Sequence, residues 1–341
     1  MKGVAKLAPG EGNVGLLDVP EPDILPGHVL IEVKAAGVCG TDLHIYHDEY
    51  PSNPPVIMGH EVAGVVAAVG EGVMLCKPGD RVTSETYFYT CGQCAFCLDG
   101  APNMCPHRKS IGSGVHGAFA RYVLVPARNI HPLPPNVDEM AGALTEPLAC
   151  CVNALARTRL EPGDLAVVSG PGAIGLLMAQ VAKAAGARVV VLGTAADEAR
   201  LEMAQQLGAD IALNIQAGDA RQTIDDLSAG LGADVVFECA GVGSSAQTCL
   251  ELVRRRGRYA QVGLFGRPVE WDLEQVCFKE LQVSGSFATV PSAWRKALSL
   301  LAAGQVQTGP LITAALPISE WQRAFDSFER RDGVKVVLTP H

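Results

Sequence analysis

Positive charge is scarce in this chain of 341 residues: 27 Lys+Arg stand against 36 Asp+Glu, a formal net charge of −9. That balance excludes a nucleic-acid groove or an anionic membrane surface as the main partner. Charged residues of both signs reach only 18%, while apolar residues make up 48%, so the chain has material for real cores and no case for disorder. The N-terminal Met1-Lys2-Gly3-Val4 carries no apolar signal core and no small-residue cleavage site. The strongly apolar uncharged run Leu165 to Ala182 is 18 residues and is broken by Ser169-Gly170-Pro171-Gly172. It therefore reads as strand, turn and helix rather than a membrane span. Eleven cysteines are too few for a disulfide scaffold and too clustered for ordinary core use. A reducing, cytoplasmic setting with thiolates on metal is the expectation.

The length implies two domains or three. Up to about Arg128 the chain alternates short β-rich runs with Gly/Pro turns, among them His28–Lys34, Glu61–Val66 and the turn Pro78-Gly79-Asp80 feeding Arg81-Val82. Helix is expected from Val137 to about Thr158, interrupted at Pro147. Strand candidates then follow at Leu165–Ser169, Arg188–Leu192, Asp210–Leu213, Asp234–Cys239, Arg258–Val262 and Leu281–Ser284. Helices fit between most of them, for example Ala173–Ala185 and Asp197–Leu207, which implies a doubly wound parallel sheet. Two further helices, Ser292–Ala303 and Ser319–Arg330, and a strand Val334–Leu338 return to the first domain, which is thus discontinuous. The expected division is 1–150, 151–288 and 289–341.

Three constellations carry chemistry. Cys91, Cys94 and Cys97, with Cys105 after seven more residues, can close a tetrahedron of thiolates around zinc. A full Cys₄ shell leaves no position for substrate, so this zinc is structural; an iron–sulfur cluster is the competing occupant. A nucleic-acid-binding zinc ribbon fits poorly, with only Arg108 and Lys109 nearby. Second, Cys39, His60 and a carboxylate (Glu61 or Glu146) give the mixed three-ligand set of an open, catalytic zinc site. Third, Gly170, Gly172 and Gly175 follow a strand and open a helix at Ala173-Ile174, the arrangement of a dinucleotide pyrophosphate loop.

On these residues the chain resembles the zinc-containing medium-chain alcohol dehydrogenases, over nearly its whole length: Gly59-His60-Glu61, the Cys91/Cys94/Cys97/Cys105 lobe and the Gly170/Gly172/Gly175 loop match the family pattern. The resemblance implies an α/β chain with a GroES-like β-rich catalytic domain, a metal lobe at about 88–108, and a Rossmann domain. It implies two zinc ions, the catalytic one on Cys39, His60 and Glu61 with Glu146 bound directly or through water. It also implies that Thr41 and His44 pass the alcohol proton to solvent and that the protein is a homo-oligomer, a tetramer.

Within the family, Cys39–Tyr46 leans to the threonine 3-dehydrogenase branch and Thr145-Glu146-Pro147-Leu148 to the polyol (sorbitol/iditol) branch. The threonine type has Pro-Phe-Gly-Asn where this chain has Pro147-Leu148-Ala149-Cys150, and the polyol type has Tyr where it has Ile45. The expected activity is oxidation of a secondary alcohol, a polyol or sugar alcohol; the alternatives are a threonine-type amino alcohol and a non-enzymatic dinucleotide sensor. Ala195 stands where an acidic residue normally holds the adenosine ribose. With Thr194 and Arg200 beside it, cofactor use leans from NAD to NADP, although Arg200 reads equally as a solvated helix face. Asp197 and Glu198 read as helix N-terminal charges, and Arg254-Arg255-Arg256-Gly257 as a helix C-terminus. Trp271, Trp294 and Trp321 read as packing residues, and Cys150, Cys151, Cys239, Cys249 and Cys277 as small buried ones.

Overall fold

The computed structural model describes residues 1–340, which divide into two units. The first comprises, of the described residues, 1–149, 289–302 and 308–340; the second comprises Cys150–Ala288 and Ala303–Gln307. Cys150 and the short stretch Ala303–Gln307 thus fall with the second unit, not the first.

The first unit is built on the strand His28–Gly37, whose side chains alternate between buried and half-buried as a strand with one inward face requires. It pairs antiparallel with Glu61–Val69 on one side and, further along, with Tyr122–Pro126 and Lys335–Thr339. Lys335–Thr339 also pairs in parallel with Ile312–Pro317, so the C-terminal strand lies inside this sheet. The inward faces supply Val29, Ile31, Val33, Val62, Val66, Val82, Val336 and Leu338 to one core, closed by Phe119, Trp321 and Phe325. The register sets Gly37 opposite Glu61 on one side and opposite Val337 on the other. Cys39 follows directly after that strand end and His60 directly precedes the neighbouring strand.

The second unit is a six-stranded parallel sheet in the order 3-2-1-4-5-6 along the chain. Its strands are Leu165–Ser169, Arg188–Gly193, Ile211–Asn214, Ala233–Glu238, Val253–Gln261 and Gln282–Gly285. Leu165–Ser169 is buried throughout, the continuous apolar run of a strand covered on both faces. The helices Ala173–Ala184, Glu198–Gln206, Ala220–Ser228 and Gly243–Leu252 connect successive strands. This is the doubly wound architecture expected from the strand–helix alternation.

Two local expectations are corrected. The helix before the second unit breaks at Leu144, giving Glu139–Ala143 and Thr145–Thr158; Pro147 sits inside the first turn of the latter, where its missing N–H costs nothing. The arginine run does not end a helix. That helix stops at Leu252, and Arg254–Arg256 lie in the strand Val253–Gln261, with Arg254 paired to Asp234 at 2.6 Å. Among the unassigned cysteines, Cys151 and Cys249 are buried and Cys150 and Cys239 partly so, but Cys277 is exposed, which corrects its reading as a buried residue. Trp294 and Trp321 are buried, and Trp271 packs at the edge of the second core. Among the described residues no helix is long and apolar enough to cross a membrane.

Candidate functional site

Cys39 caps the helix Gly40–Tyr46, and its backbone N–H donates to Asp42 Oδ2 at 2.9 Å. The same carboxylate accepts the Gly59 N–H at 3.3 Å through Oδ1, which also lies 3.9 Å from His60 Nδ1. Asp42 thereby ties the cysteine turn to the histidine turn. The His60 turn depends on Gly59: its φ is +86°, and a Cβ there would lie 2.4 Å from the Phe119 ring. Only glycine meets both conditions.

The outcome is that one donor atom each from Cys39, His60 and Glu61 lies within 4.8 Å of the others. Glu61 is fully buried; Oε1 accepts from Lys335 Nζ at 2.5 Å, and Oε2 has no hydrogen-bond partner. A buried carboxylate oxygen left unpaired beside a thiol and an imidazole is a donor set suited to a divalent metal. Burial alone would lower the His60 pKa, but Cys39, Asp42 and Glu146 hold it well above the usual imidazole value. The pocket thus favours a cation. Glu146, in the first turn of Thr145–Thr158, is 6% exposed. Burial pushes Asp42 above the ordinary carboxylate range.

Thr41 Oγ1 lies 3.8 Å from Cys39 Sγ, and His44 follows one turn later on the same helix. His44 Nδ1 is 2.6 Å from Glu49 Oε2, and both side chains reach solvent. Three residues went unnoticed in the sequence. Asp42 was legible as the third residue of a capping box. Glu49 and Lys335 carry no local signal.

The four lobe cysteines are free thiols whose sulfurs lie within 4.8 Å of one another. Cys91 Sγ is 3.6 Å from Cys105 Sγ and 4.0 Å from Cys97 Sγ. Zinc–sulfur bonds of about 2.3 Å in a tetrahedron place sulfurs about 3.8 Å apart, so the thiols fit the ion. The Gln93 and Cys94 N–H groups draw the Cys91 pKa down to about 6, while desolvation and its thiol neighbours push Cys97 up to about 12. Phe96, Leu98 and Met104 in this lobe are 47%, 73% and 49% exposed, so it has little apolar core and a metal crosslink is the available organiser.

In the second unit Gly170 has φ +100° and abuts Ala240, and a Cβ on Gly175 would lie 1.8 Å from Gly170 O. Gly172 caps Ala173–Ala184 and faces open space. The first-turn amides of Ala173, Ile174 and Gly175 have no intrahelical acceptor, a geometry suited to a phosphate. Beyond the second strand, Asp197 Oδ2 accepts from Thr194 N at 3.1 Å and Thr194 Oγ1 at 2.8 Å. Its Oδ1 lies 3.4 Å from Arg200 Nη1. Arg200 is therefore paired and only 15% exposed, which corrects the solvated-face reading. The Ala195 N–H donates to Gln216 Oε1 at 3.0 Å.

Residues 25–135 match the alcohol dehydrogenase GroES-like domain, and residues 173–303 match the zinc-binding dehydrogenase domain. The chain is 43% identical to a sorbitol dehydrogenase of Halalkalibacterium halodurans, over 100% of this chain and 99% of that one. It is 40% identical to a D-arabitol-phosphate dehydrogenase of Enterococcus avium, covering 99% and 97%. It is 37% identical to an L-threonine 3-dehydrogenase of Bacillus velezensis, covering 95% of each. A zinc-binding dehydrogenase of Sinorhizobium meliloti, solved bound to NADP, superposes with a TM-score of 0.91 at 34% identity over 99% of both chains. The chain belongs to the zinc-containing alcohol dehydrogenase family of medium-chain dehydrogenases.

Proposed function

We propose that the protein is a zinc-dependent, NAD(P)-linked dehydrogenase that oxidises a secondary alcohol of a polyol or sugar alcohol to a ketone. The observation that carries this is the convergence of one donor atom each from Cys39, His60 and Glu61, the last a buried carboxylate with one oxygen unpartnered. Cys39, His60 and Glu61, with Glu146 directly or through water, hold the catalytic zinc; Cys91, Cys94, Cys97 and Cys105 hold the structural one. Zinc in the first site would supply Lewis acidity toward the alcohol oxygen, and a nicotinamide dinucleotide, its phosphates held by the Gly170–Gly175 loop, would supply the hydride acceptor.

The chain's own residues move the proton. Thr41 Oγ1, beside Cys39, accepts the substrate hydroxyl proton and hands on its own. His44 then takes it at Nε2, because Glu49 occupies Nδ1 and holds the ring in one tautomer. The exposure of both side chains opens the last transfer to water.

NADP serves at least as well as NAD on this reading. No carboxylate stands at Ala195, and Asp197 is paired with Arg200, which offsets its charge, so the repulsion that a strand-end carboxylate exerts on a 2′-phosphate is weakened. The second reading, an amino-alcohol substrate, is favoured by the Cys39–Tyr46 stretch and by the similarity to an L-threonine 3-dehydrogenase. Resemblance also supports a cytoplasmic homo-oligomer, a tetramer. The edge strand Gln282–Gly285, with Val283 44% exposed, is an unpaired edge open to a second copy. Sedimentation equilibrium tests that.

The deciding experiment is reduction of NAD and NADP over sorbitol, xylitol, arabitol, a polyol phosphate and L-threonine. Turnover of a polyol well above that of L-threonine is expected. Faster turnover of L-threonine selects the second reading, and no reduction with any alcohol refutes both.

A further inference from the structure

Glu61 and Lys335 are separated by 274 residues and by one intervening strand. Glu61 opens the strand Glu61–Val69, Lys335 opens Lys335–Thr339, and His28–Gly37 runs between them, ending at Gly37. Side chains from the two outer strands meet because the middle strand has none at that point. A Cβ on Gly37 would lie 2.0 Å from Glu61 Oε2 and 3.1 Å from Lys335 Cε. Both charged side chains are shut away from water, at 0% and 3% exposure.

Such a pair is a poor way to stabilise a fold. Removing two ions from water costs about as much as their attraction returns, and apolar residues of equal volume often do as well or better. What it fixes is geometry. A carboxylate free to turn can present either oxygen, or both, to a metal. Here Lys335 Nζ takes Oε1, the Gly37 gap accommodates the carboxylate, and Oε2 is the oxygen left without a protein partner.

We infer that Lys335 is a positioning residue for the metal site, fixing Glu61 over the Gly37 gap so that the carboxylate offers the metal one oxygen. The inference rests on the assignment of Cys39, His60 and Glu61 as ligands. It predicts that the C-terminal strand governs how tightly and with what geometry the catalytic metal is held, through Glu61 alone. The opposite role, Lys335 competing with the metal for Glu61, predicts tighter metal binding once the lysine is removed.

The test uses full-length protein carrying cobalt(II) at the catalytic site and zinc in the Cys₄ lobe. Visible absorption reports cobalt geometry, and chelator-driven loss of colour reports its release. Lys335→Met is expected to release cobalt at least tenfold faster, with shifted absorption bands. Lys335→Arg, which keeps the cation, is expected to stay within threefold of wild type. In a Glu61→Gln background the Lys335→Met effect should shrink below twofold. Should Lys335→Met not fold, Lys335→Gln carries the same comparison.

Cobalt release and spectra like the wild type's, slower release, or an undiminished effect in the Glu61→Gln background would each overturn the inference. Wild-type protein taking up no cobalt beyond the lobe would instead sink the ligand assignment and the inference with it.

Discussion

Gly59→Ala perturbs the turn that presents His60, and its cost can be worked from the geometry. A non-glycine residue at φ +86° costs about 1–2 kcal/mol in the left-handed region. The new methyl would also meet three atoms of the Phe119 ring, at 2.4, 2.7 and 2.8 Å. That ring is fully buried and packs at an edge-type angle on Phe325, 6.4 Å between centroids, so it cannot swing away freely. Overpacking of this kind costs about 1–3 kcal/mol. The sum is about 2–5 kcal/mol, read as a lowered urea midpoint at unchanged slope. In a Phe119→Ala background the steric part disappears, and the increment for Gly59→Ala should fall to about 1–2 kcal/mol. Because His60 moves with the turn, metal content should drop toward the single lobe ion. A Gly59→Ala protein within about 0.5 kcal/mol of wild type, like an ordinary surface substitution, with full metal content, would refute the reasoning.

Three further outcomes follow from the same geometry. His44→Ala should slow alcohol oxidation by ~10²–10⁴-fold at most, chiefly at lower pH, with zinc content intact; Glu49→Gln should give a smaller drop in the same direction, and loss of zinc in either would make His44 a ligand instead. Ala195→Asp should shift the ratio of kcat/KM toward NAD, whereas a wild-type preference for NAD of a hundredfold, ~2.7 kcal/mol, would mean another group holds the ribose. Burial works to lower the His47 pKa, but hydrogen bonds with Glu329 and Glu11 raise it above the usual value. Their contribution is therefore complete below about pH 6.5 and is lost as pH rises through the folded value. With His47 a third exposed it amounts to about 0.2–1 kcal/mol. His47→Gln should thus lower the unfolding free energy at about pH 5.5 and not at about pH 9, and equal effects at both would contradict the pairing.

What was legible in the sequence was local. Gly59-His60-Glu61 and Cys39 with its helix are short runs whose residue types already state their chemistry, and the glycine loop sits between a strand and a helix that periodicity alone locates. Asp42 was on view in the same run, but its role shows only once its two oxygens are seen to reach Cys39 and Gly59. Lys335 could not be read, because a lysine opening a strand looks like any surface cation until the strand is threaded beside Gly37. Arg254–Arg256 misled for the converse reason. Basic residues before a glycine imitate a helix end, and the burial of Leu252 and Val253 with the Arg254–Asp234 pair converts the stretch to strand.

The central claim is an open metal site at Cys39, His60 and Glu61 that works on an alcohol, distinct from the closed Cys₄ site. The most direct measurement follows polyol oxidation, zinc content and unfolding together during chelation. Two zinc ions per chain are expected, with activity falling as the first leaves, the fold persisting, and activity returning when zinc is restored. Fully active protein with one zinc or fewer, or activity that survives loss of the first zinc, would contradict the account.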